Sequence, residues 1–119
     1  MQNKSFQSIL KKIKDFRDER DWKQFHDPKN LAEAISIESG ELLELFLWKD
    51  KKSIKQELKN TKFKQEISDE LADILSFLLL MSDATGIDLE EALEAKYKKN
   101  QKKYPVEKAK GKSTKYTKL

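Results

Sequence analysis

Apolar residues recur at three- and four-residue spacing in four stretches of the chain, and this predicts four helices. The first runs from about Asn3 to Arg20, with Phe6, Ile9, Leu10, Ile13 and Phe16 on one stripe. Residues 21–26 break the pattern. Asp27-Pro28 then reads as an N-cap followed by proline at the first helical position, opening a second helix to about Lys49. The lysine-rich stretch Asp50–Asn60, with Ile54 and Leu58 as aliphatic anchors, reads equally as a loop or a short helix. A third helix is expected over Thr61–Thr85, with Gly86 in the C′ position. Asp88 with Glu91 resembles a capping box for a fourth helix ending near Tyr104-Pro105. No internal repeat and no dividing linker is visible. The expected architecture is all-α: a four-helix bundle over residues 1–107 and a basic, flexible tail over 108–119.

Two of these helices carry acids where leucines belong. On a wheel phased at Leu31, Glu38 falls within about 20° of the stripe centre and Glu41 on its edge, with Ile35, Leu42 and Leu45 as neighbours. Glu33 and Glu44 fall on the outer face. The third helix repeats the arrangement with Glu70 and Asp73 among Phe77, Leu80 and Met81. An i, i+3 spacing puts each pair on one face. Inward carboxylates without a buried cation beside them need a proton or a metal. The alternative is that one or two of them face solvent. Gly40 lies between the two glutamates in mid-helix, where glycine costs about 1 kcal/mol relative to alanine. Close approach of another group, or close helix packing, would explain it.

Composition narrows the chemistry. The 119 residues contain no cysteine and one histidine, His26, so thiolate and multi-histidine metal sites are excluded. An oxygen-ligated cation, Mg²⁺ or Mn²⁺, suits the acids. The net charge of +4 hides a division: residues 96–119 hold ten lysines and one glutamate, leaving 15 basic and 20 acidic residues elsewhere. That split argues against a uniformly basic nucleic-acid-binding domain and leaves a phosphate-seeking end. The start shows no apolar signal region, and the apolar run Leu71–Met81 is too short to cross a bilayer. A cytoplasmic protein without a membrane partner is the expectation.

On the fourth helix Lys96, Asn100 and Lys103 fall in one row, followed by Tyr104. Beside a metal site, cations and amide donors suit a nucleotide polyphosphate; taken alone, the row reads as a solvated helix end. Trp22, Phe25 and His26 cluster before the second helix and Trp48 closes it. These aromatics suit a stacked base or a capped core. His26 and Trp48 would stand about 33 Å apart on a straight helix, so both serve one base only across an oligomer interface. The third helix is apolar around nearly its whole surface, which points to a homo-oligomer.

Taken in order, the segments Arg20-Asp21-Trp22-Lys23-Gln24-Phe25-His26-Asp27-Pro28, Glu38-Ser39-Gly40-Glu41-Leu42 with Trp48, Asp69-Glu70-Leu71-Ala72-Asp73, and Lys96, Asn100, Lys103-Tyr104-Pro105 resemble the MazG-like all-α nucleoside triphosphate pyrophosphohydrolases, most of all their dCTP pyrophosphatase branch. The resemblance implies a tetramer (a dimer of dimers), or at least a dimer. It implies Mg²⁺ on Glu38, Glu41, Glu70 and Asp73, with Glu38 or Glu41 positioning the attacking water. Lys96, Asn100, Lys103 and Tyr104 would contact phosphate and sugar. Trp22, Phe25, His26 and Trp48 would lie on the base side. The implied reaction is cleavage of a nucleoside triphosphate, dCTP or a modified dCTP, between the α- and β-phosphates. Ile37 departs from the pattern, standing where many members carry a further glutamate. The competing reading is a non-enzymatic helical protein that binds nucleic acid through its basic terminus.

Overall fold

Helix α4, Thr61–Thr85, is the element on which the first two helices pack. The computed structural model describes residues 4–119, and places α1 at Lys4–Glu19, α2 at Pro28–Glu44, α3 at Lys51–Glu57, α5 at Leu89–Lys103 and α6 at Val106–Ala109. Single 3-10 turns lie at Lys23–Phe25 and Tyr116–Lys118. There is no strand among the described residues, in agreement with the all-α expectation. The expected start of the first helix at Asn3 lies outside those residues. None of their helices is long and apolar enough to cross a membrane.

Residues 4–87 form one compact unit, in which α1 and α2 both pack on α4. Its fully buried aliphatic centre is Leu31 of α2 with Leu79 of α4; Phe63 and Leu80 of α4 are also buried. Each helix end has a local cause. The Asp27 carboxylate accepts from the Asn30 backbone N–H at 2.8 Å, and Pro28 occupies the first turn. Gly86 ends α4 at φ 71°, a left-handed conformation that glycine adopts without a Cβ penalty. The buried Ser82 hydroxyl donates to the Ile87 carbonyl beyond it.

The second helix is shorter than expected. It stops at Glu44, not near Lys49, and residues 45–48 form tight turns. Phe46 N–H bonds three residues back to Leu43 O, and Lys49 N–H to Phe46 O. Two interactions favour this ending. Phe46 sets its ring edge-on to buried Phe63, centroids 5.7 Å apart, with the Lys49 ammonium 4.2 Å from the Phe63 centroid. Asp50 and Ser53 form a reciprocal capping box that starts α3, so the uncertain stretch is in part a short helix. Trp48 takes a φ of 63° at the junction. Around Gly40, an added Cβ would meet open space, so packing within this chain does not explain the glycine.

Residues 88–119 belong to a second unit. Asp88 caps α5 by accepting from Glu91 N–H, as the pattern predicts. The stretch expected to be a tail has defined contacts. The Tyr116 ring lies edge-on to Tyr104, centroids 6.0 Å apart, and the Lys103 ammonium sits 4.5 Å over Tyr116.

Candidate active site

The packing of α2 on α4 brings three carboxylates together. Glu38, Glu41 and Glu70 each present an oxygen within 4.8 Å of the others. Glu38 and Glu41 are one turn apart on α2, and Glu70 faces them from α4. Glu38 and Glu70 are half-buried, and Oε2 of each is buried without a hydrogen-bond partner. Glu41 is exposed, at the mouth of the group. Carboxylates offer acceptors only, so a proton or a cation is needed between them. The Glu38 carboxyl is accordingly pushed up to about 7. The largest cause is its sharing of a proton with Glu70, followed by burial and then Glu41. The outer face behaves as its phase predicts: Glu33 is exposed and pairs with Lys29 at 3.1 Å.

Asp73 is not part of this trio. It is exposed, one turn beyond Glu70, and lines a pocket of about 420 Å³ between α1, α4 and the 3-10 turn. Ile13, Phe16, Trp22, His26 and Phe77 form much of the wall. His26 sets its ring edge-on to Phe77, centroids 6.4 Å apart, and Trp22 likewise to Phe16 at 5.8 Å. Burial, and secondarily the Arg17 charge, hold the His26 imidazole below its usual range, so it is neutral at pH 7. Its Nδ1 is buried and unpartnered. Of the aromatics singled out in the sequence, Trp22 and His26 meet here. Phe25 and Trp48 do not line this pocket, and Trp48 is 99% exposed.

In the second unit, Lys96 and Lys103 share a row on α5. The charge of Lys103 is the first cause lowering the pKa of Lys96, so the two ammonium groups feel one another. Two cations on one helix face are suited to a shared anion.

Arg17 is a pocket residue that the sequence reading missed. It lines the wall and is 5% exposed. Its position was legible: Arg17 follows Ile13 by four residues and Leu10 by seven, on the apolar stripe of α1.

A model of the MazG-like family matches residues 34–119, most of the chain and both acidic pairs. The chain belongs to the MazG-like family. Relatives of this MazG-like chain agree over most of its length. It is 38% identical over 105 residues to dCTP pyrophosphatase 1 of Bos taurus and 37% identical to that of Homo sapiens. Each match takes in 88% of this chain and 62% of the longer relative. A solved pyrophosphatase from Archaeoglobus fulgidus superposes with a TM-score of 0.80 at 39% identity, covering 88% of this chain and 96% of that one.

Proposed function

We propose that the protein hydrolyses the α–β phosphoanhydride of a deoxynucleoside triphosphate, dCTP or a modified dCTP, to the monophosphate and pyrophosphate. The observation that carries this reading is the pair of buried, unpartnered oxygens of Glu38 and Glu70, closed by Glu41. This all-carboxylate donor set suits a hard divalent cation, which favours Mg²⁺, with Mn²⁺ as a substitute. Glu38, Glu41 and Glu70 would hold it, with Asp73 as a further ligand. When bound, the ion supplies charge neutralisation at the phosphates and lowers the pKa of its water. Similarity to the dCTP pyrophosphatases supports the substrate class.

The chain's own residues have separable tasks. Glu41, exposed at the mouth of the acidic group, orients the attacking water from the solvent side; Glu38 is the alternative for this role. Lys96, Asn100, Lys103 and Tyr104 donate to phosphate and sugar oxygens and balance charge on the pyrophosphate leaving group. Trp22 and His26 line the base pocket, with Phe25 and Trp48 as further base-side contacts.

The assembly we propose is a homotetramer, and its sites are completed by neighbouring subunits. Leu71, Leu75 and Leu78, at i, i+4 and i+7 on α4, remain exposed, as do Ile37 and Leu43 on α2. Apolar rows of this kind mark protein interfaces.

The test is incubation with a panel of nucleoside triphosphates and Mg²⁺ in ¹⁸O-water. Release of pyrophosphate with the label in the monophosphate supports attack at the α-phosphorus. Release of orthophosphate, or no turnover of any triphosphate, refutes the reading.

A further inference from the structure

Arg17 is a buried charge that the acidic chemistry does not use. A guanidinium stays protonated at any working pH, carries five N–H donors, and is tolerated in the interior only where those donors find partners. Here the side chain is 6% exposed. Its Nε donates to Asp18 at 2.8 Å, and Nη1 stands 3.8 Å from an Asp83 oxygen, beyond hydrogen-bond range. Tying α1 to α4 does not require it, because Lys14 already bonds Asp83 at 3.2 Å. Arg17 thus makes one short hydrogen bond, through Nε, and one looser ion pair, through Nη1, while lining a pocket walled by Phe16, Trp22 and Phe77. The same pocket holds a buried group without a hydrogen-bond partner, the Nδ1 of His26. An aromatic-walled space with a donor fork and an imidazole fits a flat heteroaromatic ring that presents two adjacent acceptors.

We propose that Arg17 is the specificity-determining residue of this pocket, its guanidinium donating to O2 and N3 of a cytosine ring. The inference rests on the nucleotide reading above and adds the group that reads the base. Cytosine offers O2 and N3 side by side as acceptors. Thymine and uracil place an N3–H donor next to each carbonyl, so the fork would meet a donor. A neutral His26 has a ring nitrogen free to accept, which complements the exocyclic amine of cytosine. Guanine also has two adjacent acceptors, O6 and N7, and is the comparator that separates edge chemistry from ring size.

Binding of dCMP, dTMP and dGMP to the full chain with Mg²⁺ present, measured by isothermal calorimetry, tests this without any need for turnover. The wild-type protein should prefer dCMP to dTMP by about tenfold or more. Arg17→Gln should bring that ratio to within about threefold, chiefly by weakening dCMP. Arg17→Lys keeps the charge beside Asp83, removes the fork, and should lose most of the preference; it carries the test if the glutamine variant does not fold. Asp83→Asn removes the carboxylate that pairs with both Lys14 and Arg17 and should leave the preference intact. An unchanged dCMP-to-dTMP ratio in the folded Arg17 variants would overturn the assignment. So would equal loss in Asp83→Asn, a wild-type preference for dGMP, or no monophosphate binding by the wild-type protein. Failure of the wild-type protein to hydrolyse triphosphates would defeat the enzymatic reading alone.

Discussion

Glu38 and Glu70 stand on different helices, 32 positions apart in the chain, and each buries one carboxylate oxygen that no donor reaches. Two such groups side by side raise the free energy of the metal-free fold and lower that of a cation-bound one. The remaining acids take their meaning from this pair. Glu41 completes a three-oxygen group with it, and Asp73 lies one turn along α4, toward the aromatic pocket.

Removing single acids should therefore separate folding from chemistry. Glu41→Gln, Glu70→Gln and Asp73→Asn should each lower kcat by about 10²-fold or more through loss of an ionic ligand. Glu70→Gln should also raise the Tm of the metal-free protein above about pH 7, where Glu38 has lost the proton it shares with Glu70 and the two charges repel. Calorimetric titration with Mn²⁺ and thermal melts in chelator check both halves. Near-normal turnover in two of the three variants would remove the acids from the site.

The raised Glu38 carboxyl gives a pH dependence with a definite sign. Its folded value of about 7 exceeds the ordinary 4.5, so between these the native state holds a proton that the unfolded chain has lost. This contribution is present below about 4.5 and is lost as pH rises toward 7, so chelator-treated protein should melt lower at pH 7.5 than at pH 5.5 on this account. His26 acts in the opposite sense: its lowered pKa withdraws stability as pH falls through the ordinary value of 6.5. Comparison with Glu38→Gln isolates the glutamate, and the difference in melting temperature between the two proteins should shrink at acid pH. A pH-independent difference would show that Glu38 does not titrate in this range.

Trp48 combines full exposure with a positive φ. A left-handed conformation costs a non-glycine residue about 1–2 kcal/mol. Trp48→Gly should therefore leave the single chain as stable as the wild type, or raise its Tm. If the indole stacks on the base, the same variant should raise KM more than it lowers kcat, because stacking acts equally on ground and transition states. Unchanged steady-state kinetics would reduce Trp48 to a surface residue.

The exposed row Leu71, Leu75 and Leu78 bears on assembly. Leu75→Glu should leave helix content intact, because the side chain is 40% exposed, and should shift the mass measured by native mass spectrometry from tetramer to smaller species. A monomeric wild-type protein at micromolar concentration would contradict the assembly.

Local pattern was sufficient for much of this protein. The caps at Asp27 and Asp88, the span Thr61–Thr85 and its Gly86 terminus depend on hydrogen bonds within a few residues, and they are legible in the chain as written. So is the inward phase of Glu38 and Glu70, which follows from 100° per residue alone. Relations between helices were not legible. The wheel could not place Asp73 outside the carboxylate trio, because its distance from Glu38 depends on how α2 crosses α4. It also extended α2 to Lys49, because the Phe46–Phe63 contact that favours an earlier end joins residues 17 apart. Arg17 is the same lesson in a charged residue: its phase was written in α1, but only packing against α4 turned it into a buried guanidinium facing a pocket. Helical phase is a property of the chain; burial and proximity belong to the packed helices, where desolvation and Coulomb repulsion decide what a carboxylate or a guanidinium can do.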